Sequence, residues 1–108
     1  MNVDQLSKDP NERDTTILQA LAAGQYAFGQ YQTAMDLLEL ALNLDPENTK
    51  TYVMMARIQY SVGDLDEALD YINIASSTAI NGLEERDQIF ERRIKLLGEL
   101  AGQQRLLG

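Results

Sequence analysis

The residues of this chain that could do chemistry are mostly acids. Asp64, Asp66, Glu67 and Asp70 crowd one short stretch, and Glu84, Glu85 and Asp87 follow in another. Carboxylates this close could chelate a hard cation or share a proton. An EF-hand loop, however, alternates its oxygen ligands around a central glycine and closes on a glutamate within about 12 residues. Neither stretch has that layout. Glu84, Glu85 and Asp87 are explained by a helix start, where the dipole favours negative charge. The chain has no cysteine and no histidine, which removes thiolate, disulfide and imidazole chemistry and the usual zinc ligands. It also lacks a phosphate-cradling glycine motif. The expectation is a non-enzymatic protein with no cofactor and no metal.

The elements that would carry these residues are all helical. Ala and Leu dominate the apolar fraction and β-branched residues are few, which favours helix over strand. At 108 residues the chain is one domain. Residues 1–8 hold only Val3 and Leu6 as apolar anchors and read as a flexible N-terminus, with the domain proper at 9–108. Asp9-Pro10 opens a first helix, with Asp14 or Thr15 as an alternative start, that runs to about Phe28. Gly29 ends it, and Gly24 within it suggests a close backbone approach. A second helix covers Tyr31–Leu44, with Ala34, Leu37, Leu38 and Ala41 as its inner stripe, and stops at Asp45-Pro46. A third covers about Asn48–Val62 and a fourth Leu65–Thr78, opened by Asp64 with Glu67. After the Asn81-Gly82 turn, a last helix runs from about Leu83 to Leu106. Five helices and no sheet are expected.

The net charge of −8 is unevenly placed. Residues 1–82 carry four bases against twelve acids, whereas residues 83–108 balance five against five. An acidic body repels phosphate backbones, so nucleic acid is not expected as a partner. No apolar run reaches the roughly 18–20 residues of a membrane span. The N-terminus lacks the layout of a signal peptide. Membrane insertion is therefore not expected, and a cytoplasmic location is.

A 34-residue echo runs through the chain. Eight pairs are identical at that offset: Thr15/Thr49, Ala22/Ala56, Gln25/Gln59, Tyr26/Tyr60, Gly29/Gly63, Ala34/Ala68, Asp36/Asp70 and Ala41/Ala75. With Gly29 before Tyr31, Gly63 before Leu65, and the sets Ala34–Leu38–Ala41 and Ala68–Ile72–Ala75, the chain resembles the tetratricopeptide-repeat (TPR) family. Repeat one spans about 15–48, repeat two about 49–82, and a C-terminal helix at about 83–106 caps them. The resemblance implies an all-α solenoid of antiparallel helix pairs. Two departures stand out. Leu18 replaces the first-helix aromatic that Tyr52 supplies in repeat two, and Ala79-Ile80 stands where Asp-Pro is expected.

In this family the first helix of each pair lines a concave groove. Carried over, the resemblance implies a mostly apolar, partner-binding groove at Gln19, Ala23 and Tyr26 from repeat one. From repeat two it adds Lys50, Val53, Met54, Arg57 and Tyr60, with Thr16, Ala20, Ala27 and Ser61 alongside. The alternative is that Tyr26, Met54 and Tyr60 only complete packing between helices. Gln19, Ala23 and Met54 stand where some members place a basic clamp for carboxylates, so a terminal carboxylate is not the expected target. An extended or helical segment of a protein partner fits better. On the last helix, Leu83, Phe90, Ile94, Leu97 and Ala101 share one face. Ile89, Leu96, Leu100 and Leu107 form a second stripe about 100° away. That stripe either packs on a second neighbour or makes a second interface, for instance a homodimer. Small acidic proteins of this kind are also similar to type III secretion chaperones that shield an export substrate. A self-assembling scaffold is the remaining alternative.

Overall fold

A computed structural model describes residues 9–107 of the chain. Residues 1–8, read above as a flexible N-terminus, lie outside the described residues. Among those described there are five α-helices and no strand: α1 Pro10–Ala27, α2 Tyr31–Leu44, α3 Thr49–Ser61, α4 Leu65–Thr78 and α5 Glu85–Leu107. None is long and apolar enough to cross a membrane.

The sequence echo is a repeated piece of backbone chemistry. After α1, Gly29 takes φ 76°, its N–H donates to the Tyr26 carbonyl, and the Gln30 N–H reaches back 2.8 Å to the Gln25 carbonyl. After α3, Gly63 takes φ 86°, its N–H donates to the Tyr60 carbonyl, and the Asp64 N–H reaches 2.8 Å to the Gln59 carbonyl. Both are glycine-closed helix ends that satisfy the last free carbonyls and reverse the chain. Three of the helix starts are capped by side chains. Asp9 accepts from the Asn11 N–H at 2.8 Å, Asn48 from the Thr51 N–H at 3.2 Å and Asp64 from the Glu67 N–H at 3.1 Å.

Two small cores follow from the stacked pairs. The first joins Ala22 of α1, Ala34, Met35 and Leu38 of α2, and Met55 and Ile58 of α3. The second joins Val53 and Ala56 of α3, Ala68, Ile72 and Ala75 of α4, and Leu83, Phe90 and Ile94 of the last segment. Tyr71 packs against both. The alanines of the echo have no exposed surface, which lets neighbouring helices approach closely. The stacked array is elongated, with extents of 59 × 31 × 21 Å.

Two local expectations are corrected. In α2 it is Met35 that completes the inner stripe of Ala34, Leu38 and Ala41, and Leu37 is only half-buried. A Cβ on Gly24 would meet nothing within 4 Å, so Gly24 marks open surface and not a close approach. The close approach is at Gly98, where a Cβ would lie 3.3 Å from Leu69 Cδ2 of α4.

Candidate protein-binding groove

The expected groove positions lie on α1 and α3. Tyr26 and Ser61 tie α1 to α3 through a 2.7 Å contact between their hydroxyls. Tyr26 also packs against Tyr31, with ring centroids 5.6 Å apart. Along α1, Thr16, Ala20, Ala23 and Ala27 are exposed. Their small side chains leave a shallow surface.

Deeper ground lies between α3 and the segment joining α4 to α5. A cleft of about 690 Å³ is lined by Lys50, Val53, Met54 and Arg57 on one side, and by Ile80, Leu83, Arg86 and Asp87 on the other. Val53 is buried and forms floor, Met54 is half-buried, and Lys50 is exposed at the rim. The chain departs from the family pattern at Ala79-Ile80, and that departure shapes the cleft: Ile80 stands almost wholly exposed at its edge.

Arg57 is held on the cleft wall by two contacts to α5. Its guanidinium pairs with the Asp87 carboxylate at 3.0 Å and lies over the Phe90 ring, 4.3 Å from the centroid. Tyr60 meets the same ring edge-on, with centroids 5.9 Å apart. Tyr60 therefore opens towards α5. There it borders a second, smaller hollow of about 350 Å³ with Leu65, Leu97, Leu100 and Ala101.

The eight carried-over groove positions thus divide. Lys50, Val53, Met54 and Arg57 meet in one cleft, Ala23 and Tyr26 lie on the neighbouring α1 surface, and Tyr60 faces α5. Gln19 stands apart as a correction. It is buried, and its amide donates at 2.9 Å to both the Asn48 and the Thr51 side chains. Those bonds hold α1 to α3 and leave Gln19 no face towards a ligand. Phe90, Asp87 and Ile80 were not among the sequence-derived groove residues. Phe90 and Asp87 lie beyond the second repeat, where the echo gives no template, and Ile80 falls where the second copy departs from Pro46 of the first.

The acids of the opening stretches do structural work. Asp64 caps α4, Asp66 sits 3.5 Å from Arg105, and Asp87 holds Arg57. On α5, Ile89, Leu96 and Leu100 are exposed, whereas Phe90 and Ile94 are buried, as is Leu83 just before the helix. The side chain of Leu107 lies outside the described residues.

Among curated proteins, none matches this chain. Solved structures do. The TPR domain of Sgt2 from Aspergillus fumigatus superposes with a TM-score of 0.76 at 23% identity, over 94% of this chain and 66% of that one. The type III secretion translocator chaperone SycD from Yersinia enterocolitica superposes with a TM-score of 0.67 at 24% identity, over 92% of this chain and 70% of that one. A model of the tetratricopeptide repeat matches residues 20–79, more than half of the sequence and the same segment in which the glycine-closed corners recur. The chain belongs to the tetratricopeptide-repeat family.

Proposed function

We propose that this chain is a non-enzymatic, cytoplasmic interaction module that holds a peptide or helical segment of a partner protein along α1 and α3. The observation that carries the reading is the cleft at Lys50, Val53, Met54 and Arg57 of α3; α1 adds the exposed positions Ala20, Ala23 and Ala27. A mixed apolar and charged trough of this kind suits a segment with small apolar anchors and polar flanks. Met54 and Ile80 supply the apolar contacts; Lys50 and Arg86 supply cations at the rim.

The test identifies a partner by affinity capture from the native cell, then compares wild type with Met54→Glu and with Ile74→Glu on the exposed side of α4. Met54→Glu should lose the partner while helical content stays intact, and Ile74→Glu should keep it. Equal capture by all three proteins would overturn the groove assignment. The chaperone reading is a narrower form of the same proposal, supported by the shared fold of SycD. It requires a partner that aggregates alone and becomes soluble on co-expression.

A further inference from the structure

The two ends of the solenoid carry apolar stripes that match each other in reverse. On α1, Ile17 and Leu21 are 56% and 54% exposed, and Phe28, just past the helix end, is more exposed still. The repeat-two counterparts of Ile17 and Leu21 at the 34-residue offset, Thr51 and Met55, are 0% and 1% exposed, whereas Val62, the counterpart of Phe28, is 51% exposed. Met55 is covered by Ala34, Met35 and Leu38 of α2. The Ile17 and Leu21 part of the α1 face is therefore of the kind covered inside the array, and Phe28 extends it at the helix end. Among the described residues nothing covers it.

The exposed stripe of α5 has the shape of such a helix. On α1 the apolar positions 17, 21 and 28 are spaced four then seven; on α5 the positions 89, 96 and 100 are spaced seven then four. Both sets lie within an arc of about 60° and span about 16 Å, at 100° and 1.5 Å per residue. Laid antiparallel, Ile17 meets Leu100, Leu21 meets Leu96 and Phe28 meets Ile89. The same register sets Arg93 opposite Gly24, where the surface is open, and Arg105 opposite Glu12. The antiparallel sense is that of α2 on α3, which are joined by the short link Asp45–Asn48. Charge agrees: α1 and α2 together carry four acids and one base, whereas α5 carries five bases and four acids.

We infer that α5 of one copy seats on α1 of a second copy, so that the chain associates head to tail. Such a contact uses two different surfaces and leaves an open end on every assembly, so mass grows with concentration and does not stop at a dimer. Three apolar anchors on each side are few beside the roughly 20–30 residues a side of a stable interface. The association is therefore weak and reversible.

Sedimentation velocity across a wide concentration series tests this, with Leu21→Arg spoiling the α1 face and Leu96→Arg spoiling the α5 face, two like charges that repel where the spoiled faces meet. Both positions are exposed, so circular dichroism should report native helix in each variant. The wild type should pass beyond the mass of two chains at high concentration, and each variant alone should stay monomeric. An equimolar mixture of the two variants should form a dimer and stop there, because one intact α5 face then meets one intact α1 face. A wild type that stays monomeric throughout overturns the inference. So does a Leu21→Arg variant that still dimerises, since that is the mark of a symmetric α5–α5 contact, and so does a mixture that stays monomeric.

Discussion

Arg57 lies over the ring of Phe90, 4.3 Å from its centroid, while the same guanidinium holds Asp87 at 3.0 Å. One side chain of the second repeat thus grips two residues, three apart, on the first turns of the helix that closes the array. The Asp87 and Arg57 side chains are about one-fifth and one-quarter exposed, so water screens the pair only in part. This contact fixes the angle at which α5 leaves the α4–α5 segment, and with it the far wall of the cleft.

Arg57→Met should therefore loosen α5 as well as remove a charge. Combining a partly screened ion pair with a cation–ring contact, the expected cost is about 1–2 kcal/mol. At about 4–8 °C per kcal/mol for a domain of this size, thermal unfolding followed by circular dichroism should show a clear fall in Tm. Asp87→Asn should cost less, because the Phe90 contact survives. If the two variants have equal Tm values, the ring contributes nothing and this account of the α3–α5 contact is wrong.

Buried polar groups between α1 and α3 make opposite predictions. Thr15 Oγ1 is buried without a hydrogen-bond partner among the described residues. Thr15→Val keeps the shape, removes the unsatisfied hydroxyl and should stabilise the fold by about 1 kcal/mol. Gln19 has its amide satisfied by Asn48 and Thr51. Gln19→Leu removes both bonds from α1 to α3, while Asn48 Oδ1 keeps the Thr51 N–H, and should cost about 1 kcal/mol. Urea titration of the two variants would give midpoints on either side of the wild type, and a shared direction of shift would refute the pairing.

Two glycines give a similar contrast. At Gly24, inside α1, an added methyl meets nothing, so Gly24→Ala should gain roughly the 1 kcal/mol of helix propensity. Gly63 holds φ 86°, where a side chain costs about 1–2 kcal/mol. Gly63→Ala should lower Tm by several degrees, and Gly24→Ala should raise it.

The fold was legible because its corners are made by residue types with one physical role each. Gln25, Tyr26 and Gly29 recur as Gln59, Tyr60 and Gly63, and each set makes the same helix end. The buried alanines were legible for the same reason: only a small residue fits where helices cross closely. Gln19 was not legible, because an amide on an inner helix face reads equally as a ligand contact or as a tie to Thr51. The choice depends on where α3 lies. Gly24 failed in the same way, since one glycine marks either close approach or empty space. The cleft owes its far wall to Ile80, Arg86 and Asp87. Arg86 and Asp87 lie beyond the repeats, and at Ile80 the second copy departs from the first, so no matching motif calibrates those residues.

Tyr71 makes the stability of the array depend on alkaline pH. Its ring packs against both cores. Burial raises the phenol above its usual value of 10.0, and the charges of Glu67, Glu39 and Asp70 push in the same direction. In the folded chain Tyr71 thus keeps its proton at a pH where the unfolded chain has begun to lose it. Its contribution is fully present below the unfolded value near pH 10 and is lost as pH rises through the higher folded value. Urea midpoints should accordingly show no Tyr71-dependent slope at neutral pH and a decline above about pH 10. Tyr71→Phe keeps the ring and removes the ionisable hydroxyl, so its midpoint should decline less steeply over that alkaline range. The other four tyrosines remain in both proteins and set a common background. Only the difference in slope reports Tyr71, and identical slopes would show that its phenol titrates alike in the folded and unfolded chains.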